Sequence, residues 1–449
     1  MFVLPPENVW GHFRALVNEG ADLYLKDEDR KWYVLECLRA MYGFADAPLM
    51  FQLCLIHVLI SKANAVKSVF DDNYLMVFQE FAHGWELIIV FTVHVDDLLL
   101  AGSRSALSWL QSILVSRFGE LKEQHMPFTH TGLELKMVNA NCLRLHQDDF
   151  NKKLVLHTFA DGRQSDPEAM CTPAETTSFR SICCACLWGA QTRPEELCSI
   201  TGLQQKLQGP QIKDLILINT VVKRLRSPAS PTGVFFWRLT PPLHAMVVTD
   251  ASGANKRSDY AIEGVAMLIS EDKFNNFEPD KKDFVSGSSV TNLGGKCHLM
   301  FASASKSRRV SHSTSVAETL VAARGISMGQ LLAVRYSECD IVRCSCERVT
   351  PLLLLHLQDN AQIPMPVDMI IDCMDCWELC CGYRGIPQDK AVRLAVLALR
   401  EERRTYRLRR LMHCRTRWML SDMLTKSLNP DSISLRQLVT CGNGPYQMR

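Results

Sequence analysis

Residues 91–102 read Phe91-Thr92-Val93-His94-Val95-Asp96-Asp97-Leu98-Leu99-Leu100-Ala101-Gly102. An apolar run from Leu87 to Val95 leads into two adjacent acids, and a second run from Leu98 to Ala101 closes at Gly102. Strand formers on both sides of a polar pair predict a β-hairpin whose turn carries Asp96 and Asp97. Isolated buried charge is costly, so paired acids between apolar strands need a partner, and a divalent cation is a natural one. The competing reading is a solvated turn, because Asp is common in turns.

Working outward, this stretch resembles the catalytic hairpin of reverse transcriptases, where an aromatic or apolar residue, Val and two Asp stand in the same arrangement. Upstream, Met41-Tyr42-Gly43-Phe44-Ala45-Asp46-Ala47-Pro48 resembles the Leu-Tyr-Gly-Leu-x-x-Ala-Pro signature of copia-type retrotransposon polymerases. The chain therefore resembles the C-terminal part of a copia-type Pol polyprotein. That resemblance implies a palm region over 1–150 in which Tyr42 and Gly43 lie beneath the incoming nucleotide and template, with an RNA template and DNA primer as partners. Tyr42 is equally compatible with a half-buried aromatic packed on the sheet. Met1 to Pro6 resembles the turn that follows the family's first catalytic motif, so the first palm aspartate is expected to be missing. Asp22, Asp27 and Asp29 lie in a polar, loop-like stretch and do not replace it. A two-metal polymerase site draws acids from separate strands, so DNA synthesis is expected to be impaired.

Periodicity predicts a strand at Lys31–Leu35 and helices at Ala47–Ser61 and Ser105–Phe118. Phe70–Phe78 resembles the strand pair before the hairpin. Phe128–Glu134 and Leu143–Gln147 resemble the strands around the family's primer grip, and Cys171-Thr172-Pro173 its linker. Phe179–Trp188 and Gln191–Pro194 resemble a helix pair of a thumb or connection region over 151–242, read here as packing surface.

From Leu243 the pattern changes to β-β-β-α-β-α. Strands are expected at Met246–Ser252, Ala261–Ser270, Leu299–Ser303, Pro366–Ile371 and Arg417–Leu420, with helices at Ser315–Val334 and Asp389–Glu402; Glu271–Gly295 reads as a loop insertion. This order resembles the ribonuclease H fold over 243–430, followed by a tail at 431–449. Asp250 matches the acid ending the first strand, Glu318 within Ser313-Thr314-Ser315-Val316-Ala317-Glu318 the helix acid, and Asp372 the acid after the fourth strand. Asp422 within Ser421-Asp422-Met423-Leu424-Thr425-Lys426 matches the acid of Ala-Asp-x-Leu-Thr-Lys. The resemblance implies that these four, with Asp96 and Asp97 in the palm, bind Mg2+ or Mn2+, and that the substrate is an RNA–DNA hybrid told apart by its 2′-hydroxyls and groove shape. The segment from Trp418 to Asp422 is shorter than in the family, and the family's Lys-His-Ile stretch is replaced by Asp389-Lys390-Ala391. With the absent first motif, these departures suggest a truncated, degenerate copy.

Composition sets the bounds. At 449 residues, 47% hydrophobic and 22% charged, the chain can bury several cores. A net charge of +2 announces no global polyanion binder, so any nucleic-acid surface must be local. Arginines at 400, 403, 404, 407, 409, 410, 415 and 417 form one such cluster. Arg403, Arg407 and Arg410 are candidates for phosphate contact, against a solvated face paired with Glu401 and Glu402. No apolar run reaches membrane-spanning length and Met1 is not followed by a basic-then-apolar leader, so an intracellular protein is expected, cytoplasmic or nuclear. Oligomeric state is not legible. The 18 cysteines suit a reducing compartment. Cys373-x2-Cys376 with Cys380-Cys381 could suggest zinc, but the helical spacing favours small buried thiols, as at Cys183, Cys184 and Cys186. The fold class expected is α+β and α/β: a palm-type antiparallel sheet with helices, then a mixed five-stranded sheet flanked by helices. The function expected is metal-dependent hydrolysis of RNA in RNA–DNA hybrids rather than polymerisation. The alternative is a non-catalytic nucleic-acid binder or inert product of a mobile element.

Overall fold

The computed structural model describes residues 2–3, 35–36, 47–227, 233–253, 260–272, 296–311, 313–345, 349–414, 416 and 419–426. Tyr42, Gly43, Asp22, Asp27, Asp29, Arg415, Arg417, most of the strand expected at 31–35, most of the insertion and the C-terminal tail lie outside these residues. The chain divides into two units, Met1–Leu121 with Arg343–Arg348, and Lys122–Val342 with Val349–Arg449.

In the first unit, the two-residue strands β1 (Phe2–Val3) and β2 (Leu35–Glu36) pair antiparallel. Helix α1 (Ala47–Ala63) precedes an antiparallel sheet of β3 (Val66–Lys67), β4 (Tyr74–Phe81), β5 (Gly84–His94) and β6 (Asp97–Gly102), in that spatial order. Alternate side chains of a strand face opposite sides. Ile89, Phe91 and Val93 of β5 are accordingly buried with Leu75 and Val77 of β4. Leu55, Ile56 and Leu59 of α1 cover them, with Ala106, Leu110 and Leu114 of α2 (Arg104–Phe118). Ser103 caps α2 by accepting the Ala106 N–H at 3.3 Å. In α1 the residues Leu55, Ile56, Val58, Leu59 and Ala63 are buried, while Leu49, Met50 and Leu53 of the same helix are exposed.

In the second unit, β7 (Phe128–His130), β8 (Leu133–Asn139) and β9 (Cys142–His146) form a meander. Strand β10 (Val234–Trp237) later pairs with β9. Between them, α3 (Asp148–Lys152), α4 (Pro173–Gly189), α5 (Leu197–Gln204) and α6 (Ile212–Arg226) pack around Phe179, Cys183, Cys186, Ile200, Leu215 and Ile218. Cys171-Thr172-Pro173, likened above to a linker, is here a helix start. Thr172 accepts the Glu175 N–H, Glu175 accepts the Thr172 N–H, and Pro173 occupies the first turn where no N–H is needed.

The remaining strands are β11 (Leu243–Ala251), β12 (Ile262–Glu271), β13 (Cys297–Lys306), β14 (Val367–Ile371) and β15 (Arg410–His413), in the spatial order β13-β12-β11-β14-β15. The first three are antiparallel meander strands, and β14 and β15 run parallel to β11. Parallel neighbours need crossovers. Helices α7 (Thr314–Ser345) and α8 (Pro351–Asp359) lead into β14, and α9 (Met374–Cys381) and α10 (Lys390–Arg404) into β15. One sheet face buries Val247, Val265, Met369 and Leu411 beneath Val321, Ile326, Trp377 and Leu399 of α7, α9 and α10. The opposite face buries Met246, Val248, Ala266 and Ile370 against Met419, Leu420, Met423 and Leu424 around the one-turn helix α11 (Asp422–Thr425). The last strand is a correction: β15 is Arg410–His413, ending ahead of the expected Arg417–Leu420, while Met419 and Leu420 turn into the core. Leu411 and Met412 explain the choice, because their alternation supplies one apolar residue to each face.

Candidate metal centre

Asp250 is the penultimate residue of β11, and Asp372 directly follows β14, its parallel neighbour. Both therefore stand at the carboxyl end of the parallel strands, the edge where open α/β sheets place ligands. Glu318, in the second turn of α7, approaches the same edge. One carboxylate oxygen from each of Asp250, Glu318 and Asp372 lies within 4.8 Å of the others. Asp250 and Glu318 are 1% and 2% exposed, and Asp372 is half-buried.

Two glycines set these approaches. A Cβ on Gly325, two turns along α7 from Glu318, would stand 2.5 Å from Thr249 Cγ2, so the missing side chain lets α7 lie close on β11. A Cβ on Gly264 of β12 would meet Thr425 Cγ2 at 2.8 Å and Leu424 Cβ at 2.9 Å. That close contact brings the Thr425 hydroxyl to donate to Asp250 Oδ2.

The electrostatics are those of a cluster short of positive charge. Glu318 Oε1 accepts the Ala251 N–H at 3.0 Å, but buried Oε2 has no hydrogen-bond partner. Burial first, then the neighbouring Asp250 and Asp372 carboxylates, push Glu318 up to about 11. Burial and Asp250 push Asp372 up to about 6, against a hydrogen bond from Thr416 and the Lys426 ammonium. His413 Nε2 donates to the Asp372 carbonyl at 2.9 Å and steadies the backbone there. These residues fit a divalent cation: three oxygen donors converge from three elements, one of them a buried oxygen without a donor.

Asp422 is fully buried, yet its carboxylate is not in the 4.8 Å group. Its Oδ1 pairs with Lys426 Nζ, which also stands 4.0 Å from Asp250 Oδ2. Thr425, Lys426, Thr416 and His413 were not singled out from the sequence. Thr425 and Lys426 lie inside the quoted six-residue motif, and the motif was the signal available.

The other predicted residues are placed elsewhere. His94 pairs across the ladder with Asp97, so Val95 and Asp96 form a two-residue turn. Val95 has φ +58°, a costly conformation for a β-branched residue, and its N–H donates to Gln52 Oε1 of α1 at 3.1 Å. Gln52 is held in turn by Asn73 at 2.6 Å. Asp96 and Asp97 are both exposed on this turn and belong to no three-ligand group among the described residues.

Of the arginines, Arg407 forms a two-point pair with Glu402 at 2.9 and 3.1 Å and reaches Asp359 at 3.3 Å. Arg403 donates to the Cys380 carbonyl at 3.5 Å, and Arg400 to Leu379 at 2.8 Å. Arg410 turns inward, 3.7 Å from Asp368 and 3.8 Å from Asp272. In this arrangement these side chains tie α10 and β15 to their neighbours. Arg410 belongs to a buried cluster in which Asp368 of β14 accepts from His244 at 2.7 Å and from Arg409 at 3.0 Å. Burial acts to raise Asp368, but hydrogen bonds from His244 and Arg409 outweigh it and hold the carboxyl below its usual range.

Cys183, Cys186, Cys376 and Cys380 are core thiols, whereas Cys184, expected with them, is exposed because it lies off the buried face of α4, and Cys373 and Cys381 are half-buried. Cys376 and Cys380 are buried in α9, and burial pushes Cys183 and Cys186 up to about 12. Such thiols stay protonated and unreactive near neutral pH.

No family model matches the chain. Over 249 residues, 52% of this chain, it is 24% identical to the "Retrovirus-related Pol polyprotein from transposon RE1" of Arabidopsis thaliana. The match covers 16% of that polyprotein's length. This distant similarity supports a retrotransposon-related protein. No helix among the described residues is long and apolar enough to cross a membrane.

Proposed function

We propose that the chain is a retrotransposon-derived, metal-dependent nuclease of the ribonuclease H kind, hydrolysing RNA within RNA–DNA hybrids. The observation that carries this reading is the convergence of Asp250, Glu318 and Asp372 at the carboxyl edge of a β13-β12-β11-β14-β15 sheet, with Glu318 Oε2 buried and lacking a donor. Residues 243–430 are the nuclease region, 1–150 a palm-derived region and 151–242 a thumb or connection region. Mg2+ or Mn2+, held by the three acids, would supply charge neutralisation at the scissile phosphate and at the attacking water.

The chain's own groups prepare that edge. The Thr425 hydroxyl fixes the orientation of Asp250, the Ala251 N–H fixes one oxygen of Glu318, and His413 fixes the backbone at Asp372. A palm function for Asp96 and Asp97 would require a further acid from another strand, with RNA template and DNA primer as its substrates. The second reading, a non-catalytic nucleic-acid binder, is favoured by one observation: the fourth acid, Asp422, is paired to Lys426.

Incubation of labelled RNA–DNA hybrid with the full chain tests the choice. Cleavage that requires Mg2+ or Mn2+ and disappears in Asp372→Asn supports hydrolysis. Folded protein that leaves the hybrid intact at either metal refutes it, and retained hybrid binding would then favour the second reading.

A further inference from the structure

We propose that Lys426 is a tethered cation of the acid cluster, and that it must leave Asp422 for a divalent ion to be held at full strength. This rests on the metal-binding reading above and adds a residue that tunes the site. Three carboxylates converge on one sheet edge, and Lys426 joins the neighbouring Asp422 Oδ1 to this group, standing 4.0 Å from Asp250 Oδ2. The acids and the cation differ in freedom. Asp250, Glu318 and Asp422 are buried, whereas the Lys426 side chain is 42% exposed and lies one residue beyond α11. A flexible ammonium on a four-carbon stem can swing to water, and the buried carboxylates cannot.

The placement of Asp422 follows the same logic. A buried carboxylate is costly without a counter-charge, and Asp422 finds one in Lys426 rather than in the three-acid group. Lys426 pairs with Asp422 and approaches Asp250, and Glu318, 2% exposed, adds a further buried carboxyl to the same edge. A divalent ion seated on Asp250, Glu318 and Asp372 would stand beside this ammonium and be repelled by it. Binding of the ion and pairing of Lys426 therefore oppose one another, and such coupling is reciprocal.

Two measurements on the full chain test this. Calorimetric titration with Mn2+ is expected to show Lys426→Met binding on the order of tenfold more tightly than wild type. Equal or weaker binding by folded Lys426→Met overturns the proposal, provided that wild type binds Mn2+ and Asp250→Asn does not. If no form binds Mn2+, the metal-binding reading itself falls, and this proposal with it. The second measurement needs no variant. Acetylation of lysines in the wild-type protein by an N-hydroxysuccinimide ester is followed by peptide mass spectrometry, with exposed Lys136 as internal reference. Saturating Mn2+ is expected to speed modification of Lys426 several-fold relative to Lys136. An unchanged ratio overturns the proposal even if Lys426→Met does not fold.

Discussion

Glu318→Gln should stabilise the metal-free protein near neutral pH, even though it removes a candidate ligand. Burial, Asp250 and Asp372 push Glu318 from an ordinary 4.5 up to about 11. Below pH 4.5 the group is protonated whether the chain is folded or not, and no cost arises. Between 4.5 and 11 the unfolded chain releases this proton and the folded chain keeps it. The folded state therefore binds more protons, and stability falls as pH rises through that window. One proton corresponds to about 1.4 kcal/mol per pH unit. From 4.5 to 7 the loss is about 3 kcal/mol, and glutamine, neutral at every pH with nearly the same shape, avoids it. Urea denaturation in EDTA at pH 5 and pH 7.5 would measure the difference. The variant should lead by less than about 1 kcal/mol at the lower pH and by about 4 kcal/mol at the higher one. Added Mn2+ should narrow the gap, because only wild type presents the full charge to the ion. A gap that does not vary with pH would refute the argument that Glu318 is held protonated by its neighbours.

Asp368→Asn removes the negative charge and replaces one of the two acceptor oxygens that serve His244 and Arg409 with an NH2 donor, which leaves the half-buried Arg409 charge without its counter-ion. A loss of about 3–5 kcal/mol is expected in denaturant melts at pH 7. Because the folded carboxyl is held low, the stability Asp368 contributes is present above its unfolded pKa and disappears as pH falls through the folded value, so wild type and variant should converge in strong acid. Gly264→Ala places a methyl against Thr425 and Leu424 and should cost about 1–3 kcal/mol. It should also weaken Mn2+ binding in calorimetry, because α11 must retreat from Asp250. Asp96→Asn and Asp97→Asn alter an exposed turn and should change stability by less than about 0.5 kcal/mol, with hybrid cleavage unchanged.

Much of the fold was legible because the signals are local. The apolar runs Leu87–Val95 and Leu98–Ala101 on either side of Asp96 and Asp97 announce a hairpin, and β5 and β6 form it. Helical period placed α1, α2, α7 and α10 within a few residues at most ends. Among these four the largest error was at the end of α7, which runs to Ser345, well past the expected Val334, and α6 and α8 were not expected. The edge strand β15 was misplaced because four half-apolar residues satisfy a strand pattern at several positions, and only pairing with β14 selects among them. The arginine run shows the same limit. Charge spacing predicts a basic face, but Arg410 is turned inward by Asp368 and Asp272, residues 42 and 138 positions earlier in the chain.

By itself, the amino-acid sequence marked many of the strands and helices and the acids that end them, since propensity, periodicity and turn chemistry act over a few neighbours. It marked Asp250, Glu318, Asp372 and Asp422 through short motifs. Tertiary structure alone decided that three of these share one 4.8 Å cluster while the fourth pairs with Lys426. It also decided that Gly325 and Gly264 bring α7 and α11 close enough to build that edge. The physical reason is one of range. Burial and Coulomb interaction depend on distances in space, and those distances are created only when β11, α7, β14 and α11 pack together.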